Sequence, residues 1–304
     1  MRDSIVWGLD IGGTKCALVM GGRNGSIKER LCVATADFGG DWQALLDELV
    51  APALADWPKP AAVGVSCGGP LSSERGRILS PPNLPGWDDV PVTDWLSDMI
   101  GAPAFLQNDA NACALAEWRH GAGRGCRSMV FLTFGTGMGA GLILDGRLYR
   151  GACDMAGEVG HMRLAEDGPV GYGKRGSFEG FCSGGGLRQL AMLELGRDLS
   201  ARELNELAEA GDECARGVLR LSARRLGGAL ALLIDILNPE RIVIGSVYAR
   251  AERWFREDML REIRREALDM PAQCCEIVPA ALGDSIGDIA ALSVAWDGLW
   301  GMKT

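Results

Sequence analysis

Two stretches of this chain repeat one another, and that repeat limits the possible folds more than any other feature. In Leu9-Asp10-Ile11-Gly12-Gly13-Thr14-Lys15, an apolar run over residues 4–9 delivers Asp10, breaks on two glycines and resumes as a second apolar run over 17–20. The same grammar returns in Thr133-Phe134-Gly135-Thr136-Gly137-Met138-Gly139-Ala140-Gly141, between apolar runs at 129–132 and 142–144. Each spells strand–turn–strand, with bare backbone at the bend where amide N–H groups can approach a ligand. Even the next turns echo: Gly21-Gly22-Arg23-Asn24-Gly25 in one copy, Asp145-Gly146-Arg147 in the other. A single copy is as well explained by an ordinary hairpin whose glycines only make the turn. Two copies predict two related α/β halves facing a cleft.

The residue types at the first bend suit a nucleotide phosphate tail. Gly12 and Gly13 open the backbone, Thr14 adds a hydroxyl, and Asp10 adds a carboxylate suited to the water shell of magnesium. The rest of the composition agrees. Glycine numbers 43 of 304 residues, about twice ordinary usage, and clusters at turns. A net charge of −9 argues against a nucleic-acid backbone as partner. No apolar run reaches membrane-spanning length. The ten cysteines form no C-x-x-C pair, which reads as reduced cytosolic thiols. With a strand starting within four residues, neither a signal peptide nor a DNA-binding helix-turn-helix module is expected ahead of the core.

In chain order, the spacing predicts a strand over 27–34 and a helix over 41–54 behind an Asp41 cap, closed by Pro58 and Pro60. A strand over 61–66 runs into Gly68-Gly69-Pro70. Pro81-Pro82-Asn83-Leu84-Pro85-Gly86-Trp87 is a rigid loop that by itself reads as a connector. A helix over 92–100 and a strand over 104–107 lead to Asn108-Asp109-Ala110-Asn111, which opens a helix to His120. At the carboxyl end of a strand, the reading that Asn108 or Asp109 caps the helix and the reading that Asp109 is a general base are equally good. Residues 151–179 have weak periodicity and read as a functional loop containing Glu158 and His161. Gly171-Tyr172-Gly173-Lys174-Arg175-Gly176 mimics a phosphate loop but follows no strand, so it is set aside. Helices are expected from Ser183 to 195, over 200–210 and over 212–237, then a strand over 241–244 ending in Gly245-Ser246. A helix over 250–266, a strand over 274–278 and a terminal helix over 286–300 complete the chain.

Taken together, Asp10-Ile11-Gly12-Gly13-Thr14-Lys15, Pro82-Asn83-Leu84-Pro85-Gly86-Trp87, Asn108-Asp109-Ala110-Asn111-Ala112, Gly135-Thr136-Gly137 and Gly157-Glu158-Val159-Gly160-His161 resemble the ROK family of repressors and sugar kinases. The resemblance runs from the first strand to the last helix. It implies an actin-like (ribonuclease H-like) α/β fold: a smaller domain of residues 1–112 plus 287–304, and a larger one of 113–286. It further implies a cytoplasmic ATP- and magnesium-dependent hexose kinase, a homodimer that binds sugar and ATP but neither nucleic acid nor membrane. Glucose is the leading acceptor. N-acetylmannosamine, N-acetylglucosamine, fructose, mannose or a β-glucoside remain alternatives, as does a sugar sensor that no longer catalyses. An actin-like polymerising ATPase is disfavoured by the sugar-type residues.

Carried over, the resemblance makes Asp109 the base that deprotonates the attacking hydroxyl. Asn83, Asn108, Glu158, His161 and Glu179 would hold other sugar hydroxyls. Asp10, Gly12, Gly13, Thr14 and Lys15 would manage magnesium and the transferred phosphate, Thr136 and Gly137 the remaining phosphates. Ser183, Gly184, Gly245 and Ser246 would border the adenosine; the family usually has glycine where this chain has Ser246. The family's zinc loop, C-x-C-G-x-x-G-C before a glutamate, falls on residues 170–179 with Val170, Tyr172 and Ser177 at the thiol positions. No structural zinc is therefore expected, and Tyr172 and Phe178 are expected to hold Glu179 by packing instead.

Overall fold

The computed structural model describes residues 4–302 and divides into two compact units. Unit 1 comprises Met1–Arg124, Arg150–Asp154 and Asp284–Thr304; unit 2 comprises Gly125–Tyr149 and Met155–Gly283. The expected boundary at 112/113 falls inside a continuous helix, so the compact units divide later, after Arg124.

Unit 1 is built on a five-stranded sheet. β1 (Val6–Ile11) pairs antiparallel with β2 (Lys15–Gly21), which pairs antiparallel with β3 (Ile27–Ala34). On its other side β1 runs parallel to β4 (Val63–Cys67), and β4 runs parallel to β5 (Ala104–Asn108). The continuous burial of β4 matches its unbroken apolar sequence, as a strand covered on both faces requires. One covering layer includes α1 (Trp42–Asp56), whose Asp41 cap accepts from the Ala44 amide and which buries Leu45, Leu46, Leu49 and Val50. α2 (Val92–Ile100) joins this layer through Val92, Leu96 and Ile100, whereas α3 (Asp109–His120) packs against the terminal helix. The terminal helix (Ile286–Gly301) covers the other face. It lies so close to the sheet that a Cβ at Gly64 would sit 2.1 Å from the Ala291 carbonyl oxygen.

Unit 2 repeats this topology. β6 (Met129–Leu132) pairs antiparallel with β7 (Ala140–Leu144), which pairs antiparallel with β8 (Arg147–Tyr149). β6 then runs parallel to β9 (Arg241–Ile244), and β9 to β10 (Glu276–Pro279). The strand order is third-second-first-fourth-fifth in both units, the internal repeat that the paired hairpins imply. The helices are α4 (Phe178–Phe181), α5 (Gly184–Leu195), α6 (Ala201–Glu209), α7 (Glu213–Leu237), α8 (Ser246–Glu266) and α9 (Asp269–Cys274). Ser200 and Glu203 close a capping box on α6, and the Asp212 side chain caps α7.

Three local expectations change. α8 starts at Ser246, four residues early, because the chain turns into helix directly after Gly245. Cys274 ends the short helix α9, which displaces the last strand to Glu276–Pro279. The 151–179 loop contains a small hairpin, Val170–Gly171 against Lys174–Arg175. Among the described residues no helix is long and apolar enough to cross a membrane.

Candidate active site

Unit 1 gathers the acidic residues. Asp10 lies within β1, opposite Ala17 on β2 and Ser66 on β4, and its carboxyl is pushed up to about 6. Burial is the main cause, followed by the nearby carboxylates of Asp288 and Asp109; Lys15 and a hydrogen bond with Ser66 pull the other way. At the bend, the Gly12 amide donates to the Lys15 carbonyl at 3.1 Å, and the Thr35 hydroxyl donates to the Gly12 carbonyl at 2.6 Å. Thr14 and Lys15 are exposed. The Pro81–Trp87 loop is more than a connector. Leu84 and Trp87 are buried beneath it, and this anchors the exposed Asn83 against the bend. A Cβ at Gly13 would stand 2.7 Å from the Asn83 carbonyl oxygen, so the glycine is what admits the loop.

At the end of β5 the helix cap is Asn108, not Asp109. Asn108 is the N-cap of α3, its Oδ1 accepting from the Asn111 amide at 2.8 Å. Asp109 is the first helical residue, and its Oδ1 accepts from the Ala110 amide at 2.8 Å. Water reaches its exposed side chain, yet the surrounding mass of protein raises its pKa, opposed by the Ala110 amide. Because the side chain is open to water, the rise is smaller than full burial would produce. A carboxylate of this kind, more basic than usual, is suited to taking a proton.

Unit 2 gathers a second set around its own hairpin. The Met138 amide donates to Glu179 Oε2 at 3.0 Å, and a Cβ at Gly137 would lie 2.7 Å from the same oxygen. Glu158 and His161 ride on a tight turn, Val159–His161, seated against β7. There Gly160 comes so near the Met138 carbonyl that a Cβ would stand 2.1 Å from its oxygen. The Gly184 amide donates to the Gly135 carbonyl at 2.8 Å, bringing the start of α5 to the bend. Ser183 is buried, with its hydroxyl capping α5 on the Gly186 amide, so Gly184 rather than the Ser183 side chain faces outward. Thr136 is exposed at the tip. Ser246 begins α8 with φ +48°, and a Cβ at Gly135 would be 3.6 Å from its Oγ.

The loop at 163–178 is braced by polar contacts. Lys174 Nζ donates to the His161 carbonyl at 2.6 Å, Arg163 to the Arg175 carbonyl at 2.8 Å, and Gln189 exchanges two hydrogen bonds with Val170. Phe178 is buried, as a packing replacement for metal requires. Tyr172 is 79 % exposed and meets His161 only edge-on, so it contributes little. Ser177 is buried and caps α4 on the Gly180 amide. Cys182 donates to the Ser222 carbonyl, and burial pushes its thiol up to about 12. Val170, Tyr172 and Ser177 offer no zinc-type donors beside His161, and this donor set does not fit a structural zinc.

A scan against known families matches residues 6–297 to the ROK family. The chain belongs to the ROK family. It is 32% identical over 313 residues to a glucokinase of Halalkalibacterium halodurans, covering 95% of this chain and 94% of that one. It is 37% identical over 300 residues to the bifunctional enzyme NanE/NanK of Brucella melitensis, covering 96% of this chain but 54% of that longer one. Among solved structures, the ROK hexokinase of Thermus thermophilus superposes with a TM-score of 0.84 at 33% identity, covering 98% and 99% of the two chains. A Streptomyces griseus ROK glucokinase solved with glucose and AMPPNP gives 0.76 at 28%, covering 97% and 100%. The fold of this ROK sugar kinase is thus the actin-like one, carried as two α/β units.

Sequence reasoning missed Asp288, Gly287 and Ser66. A Cβ at Gly287, in the first turn of the terminal helix, would lie 2.5 Å from Asp10 Oδ2, and Asp288 follows it, paired with Arg30 at 2.8 Å. Nothing near residue 287 in the sequence marks it as a neighbour of residue 10; only the close docking of the terminal helix on β1 and β4 makes it one.

Proposed function

We propose that this ROK sugar kinase transfers the γ-phosphoryl group of ATP to a hydroxyl of a hexose, glucose first among the acceptors. The observation that carries the reading is Asp109: a basic-shifted carboxylate at the carboxyl end of β5, near enough to Asp10 to raise its pKa. In the transfer, the sugar oxygen forms a bond to the γ-phosphorus while the bond to the bridging oxygen breaks and ADP leaves. The sugar's proton passes to Asp109. Asn108, whose Oδ1 is held by the cap, presents its amide nitrogen to a neighbouring hydroxyl. Glu158, His161, Glu179 and Asn83 read the other hydroxyls directionally. The backbone at Gly12–Thr14, Thr136 and Gly137 aligns phosphates, with Lys15 beside them, and Gly184, Gly245 and Ser246 border the adenosine.

Asp10 fits a hydrated Mg2+. Its carboxyl is raised partly by Asp288 and Asp109, an excess of negative charge that a cation relieves. Among the described residues no three acidic, His or Cys side chains converge as a cage, which suits an ion that keeps most of its waters. When bound, the ion neutralises phosphate charge.

We further propose that the protein is cytoplasmic, is a homodimer, binds no nucleic acid and holds no structural zinc. The thiol positions of the zinc loop carry Val170, Tyr172 and Ser177, and polar braces hold that loop. The decisive experiment is an ADP-release assay with glucose, N-acetylmannosamine, N-acetylglucosamine, fructose, mannose and a β-glucoside. Turnover of one hexose well above the rest is expected. Saturable sugar binding with no ADP release from any of them would mean a sensor and end the kinase reading. Elemental analysis should find far less than one zinc per chain, and activity should return in full once a chelator is removed and magnesium restored.

A further inference from the structure

The small hairpin of the 151–179 loop carries an unexpected residue at its turn. Gly171 pairs with Lys174, so Tyr172 and Gly173 form a two-residue turn, with φ of +46° and +74°. A turn with positive φ at both positions favours glycine, asparagine or aspartate at the first. For a bulky aromatic residue that backbone conformation is strained. Burial does not offset the strain. Tyr172 is 79 % exposed, more than any other large hydrophobic side chain among the described residues. Strain of this kind persists where it serves a ligand clamp or a switch.

The turn is mounted firmly beside groups that the proposed function gives to the sugar. Gly171 packs so tightly on the next segment that a Cβ would stand 2.5 Å from the Gly180 amide nitrogen and 2.7 Å from Glu179 Cβ. At the foot of the hairpin Val170 exchanges two hydrogen bonds with Gln189, and Lys174 Nζ donates to the His161 carbonyl. The hairpin is thus fastened to the segments that carry Glu179 and His161. The Tyr172 ring stands edge-on to the His161 imidazole, with centroids 6.4 Å apart and planes at 80°. Glu158 and His161 are exposed as well, and all of these residues belong to unit 2. A ring on so rigid a mount loses little freedom when a ligand settles on it.

The chemistry of the ring selects the ligand. Glu158, His161 and Glu179 offer hydrogen bonds, which suit hydroxyl groups. The phenol ring offers what they lack, a flat apolar face. A sugar whose hydroxyl is held by His161 has its neighbouring substituent within reach of that face. We propose that Tyr172 is a specificity-determining residue whose ring stacks on an aromatic aglycone, so that aryl hexosides are acceptors as well as free hexoses. Two rings that meet offset or edge to face gain beyond the area they bury. A methyl aglycone brings a single carbon to the platform, a phenyl aglycone a whole face. The inference rests on the sugar-kinase reading for the groups that hold the hydroxyls; the platform is its own claim.

The test compares methyl and phenyl β-glucoside as acceptors for the full chain, by ADP release and by calorimetric binding. The parent should favour the phenyl glucoside about 3–10-fold in kcat/KM and in affinity, the range of one aromatic contact. Tyr172→Ala should bring the two glucosides level. Tyr172→Phe should keep the preference, since the ring and not the hydroxyl carries it. Tyr172→Asn suits the turn, so it should lose the preference and raise Tm by about 1–4 °C. The ratio of the two glucosides is insensitive to general damage, which slows both alike. Equal use of the two by the parent, use of neither, or a preference that survives Tyr172→Ala would overturn the platform and leave the kinase reading to the hexose panel. A Tyr172→Asn variant that loses both the preference and Tm would make the ring a packing residue and overturn it too. Preferential binding of the phenyl glucoside that Tyr172→Ala abolishes, with no ADP release from any sugar, would keep the platform and end the kinase reading.

Discussion

The two glycine hairpins share a topology and differ in charge. In unit 1 the strand before the bend delivers Asp10, close to Asp109 and Asp288, and its carboxyl is held at about 6 by burial and by those two neighbours. In unit 2 the equivalent strand ends without an acid; Thr133 stands there, its hydroxyl accepting from the Gly139 amide at 2.9 Å. The carboxylate at that bend, Glu179, comes from another segment and is held by the Met138 amide. The difference teaches that duplication supplied two backbone cradles, while carboxylates that raise one another's pKa accumulated on one of them.

If the chemistry is concentrated in unit 1, the largest effect is at its base. Asp109→Asn should lower kcat by roughly 10²–10⁴ while the sugar KM stays within a few-fold. A variant turning over near the parent rate would show that the proton goes elsewhere.

The two bends should also respond differently to an added methyl. Gly137→Ala places its Cβ against the flexible end of Glu179, so stability should stay near the parent while kcat/KM for sugar falls about 10–100-fold as the carboxylate is displaced. Gly13→Ala meets the backbone oxygen of Asn83, which cannot swing aside, and should cost about 1–3 kcal/mol in denaturant unfolding. Equal stability losses at the two sites would erase the distinction.

The charge itself can be read from stability. The folded-state pKa of Asp10 lies above its ordinary 3.8, so the ionised carboxylate opposes folding above about pH 6, and that penalty fades as pH falls toward 4. In ligand-free protein without magnesium, Asp10→Asn should therefore raise Tm by roughly 2–6 °C at pH 8. The gain should shrink progressively below pH 6, even as the variant loses activity. A gain independent of pH would point to packing instead of charge.

The smallest effect belongs to the start of α8 in unit 2. Ser246 holds a left-handed φ of +48°, a conformation that suits the family's usual glycine. Ser246→Gly should stabilise by at most about 1 kcal/mol, because relief of strain is partly offset by the added freedom of the unfolded chain. A loss of ATP affinity in that variant would instead give the Ser246 hydroxyl a contact of its own.

Local grammar was legible from the residues alone. Apolar runs and turn glycines placed the strands, Asp41 announced the helix it caps, and the repeated hairpin foretold two units of one topology. These features depend on neighbours within about five residues, whose geometry the chain carries with it. The Asn108–Asp109 pair was recognisable as a strand end, but only the capping bond from the Asn111 amide showed that Asn108 is the cap.

Other facts belong to distance in the chain. Gly13 admits Asn83, Gly160 admits the turn that carries His161, and Gly287 gives Asp10 room beside Asp288. Each glycine looks like a turn residue or an indifferent helix position in the sequence, and each matters because a partner from another segment arrives within contact. Gly227 and Gly228 make the point in adjacent positions: the sequence shows two identical residues, and only the packing of α8 on one side of α7 makes the first a requirement and leaves the second facing outward. The sequence determined the elements and the residue types, since those follow from local propensity and period. The tertiary structure decided which carboxylates share a field and which glycines are contacts, since long-range electrostatics and close packing exist only once the segments meet.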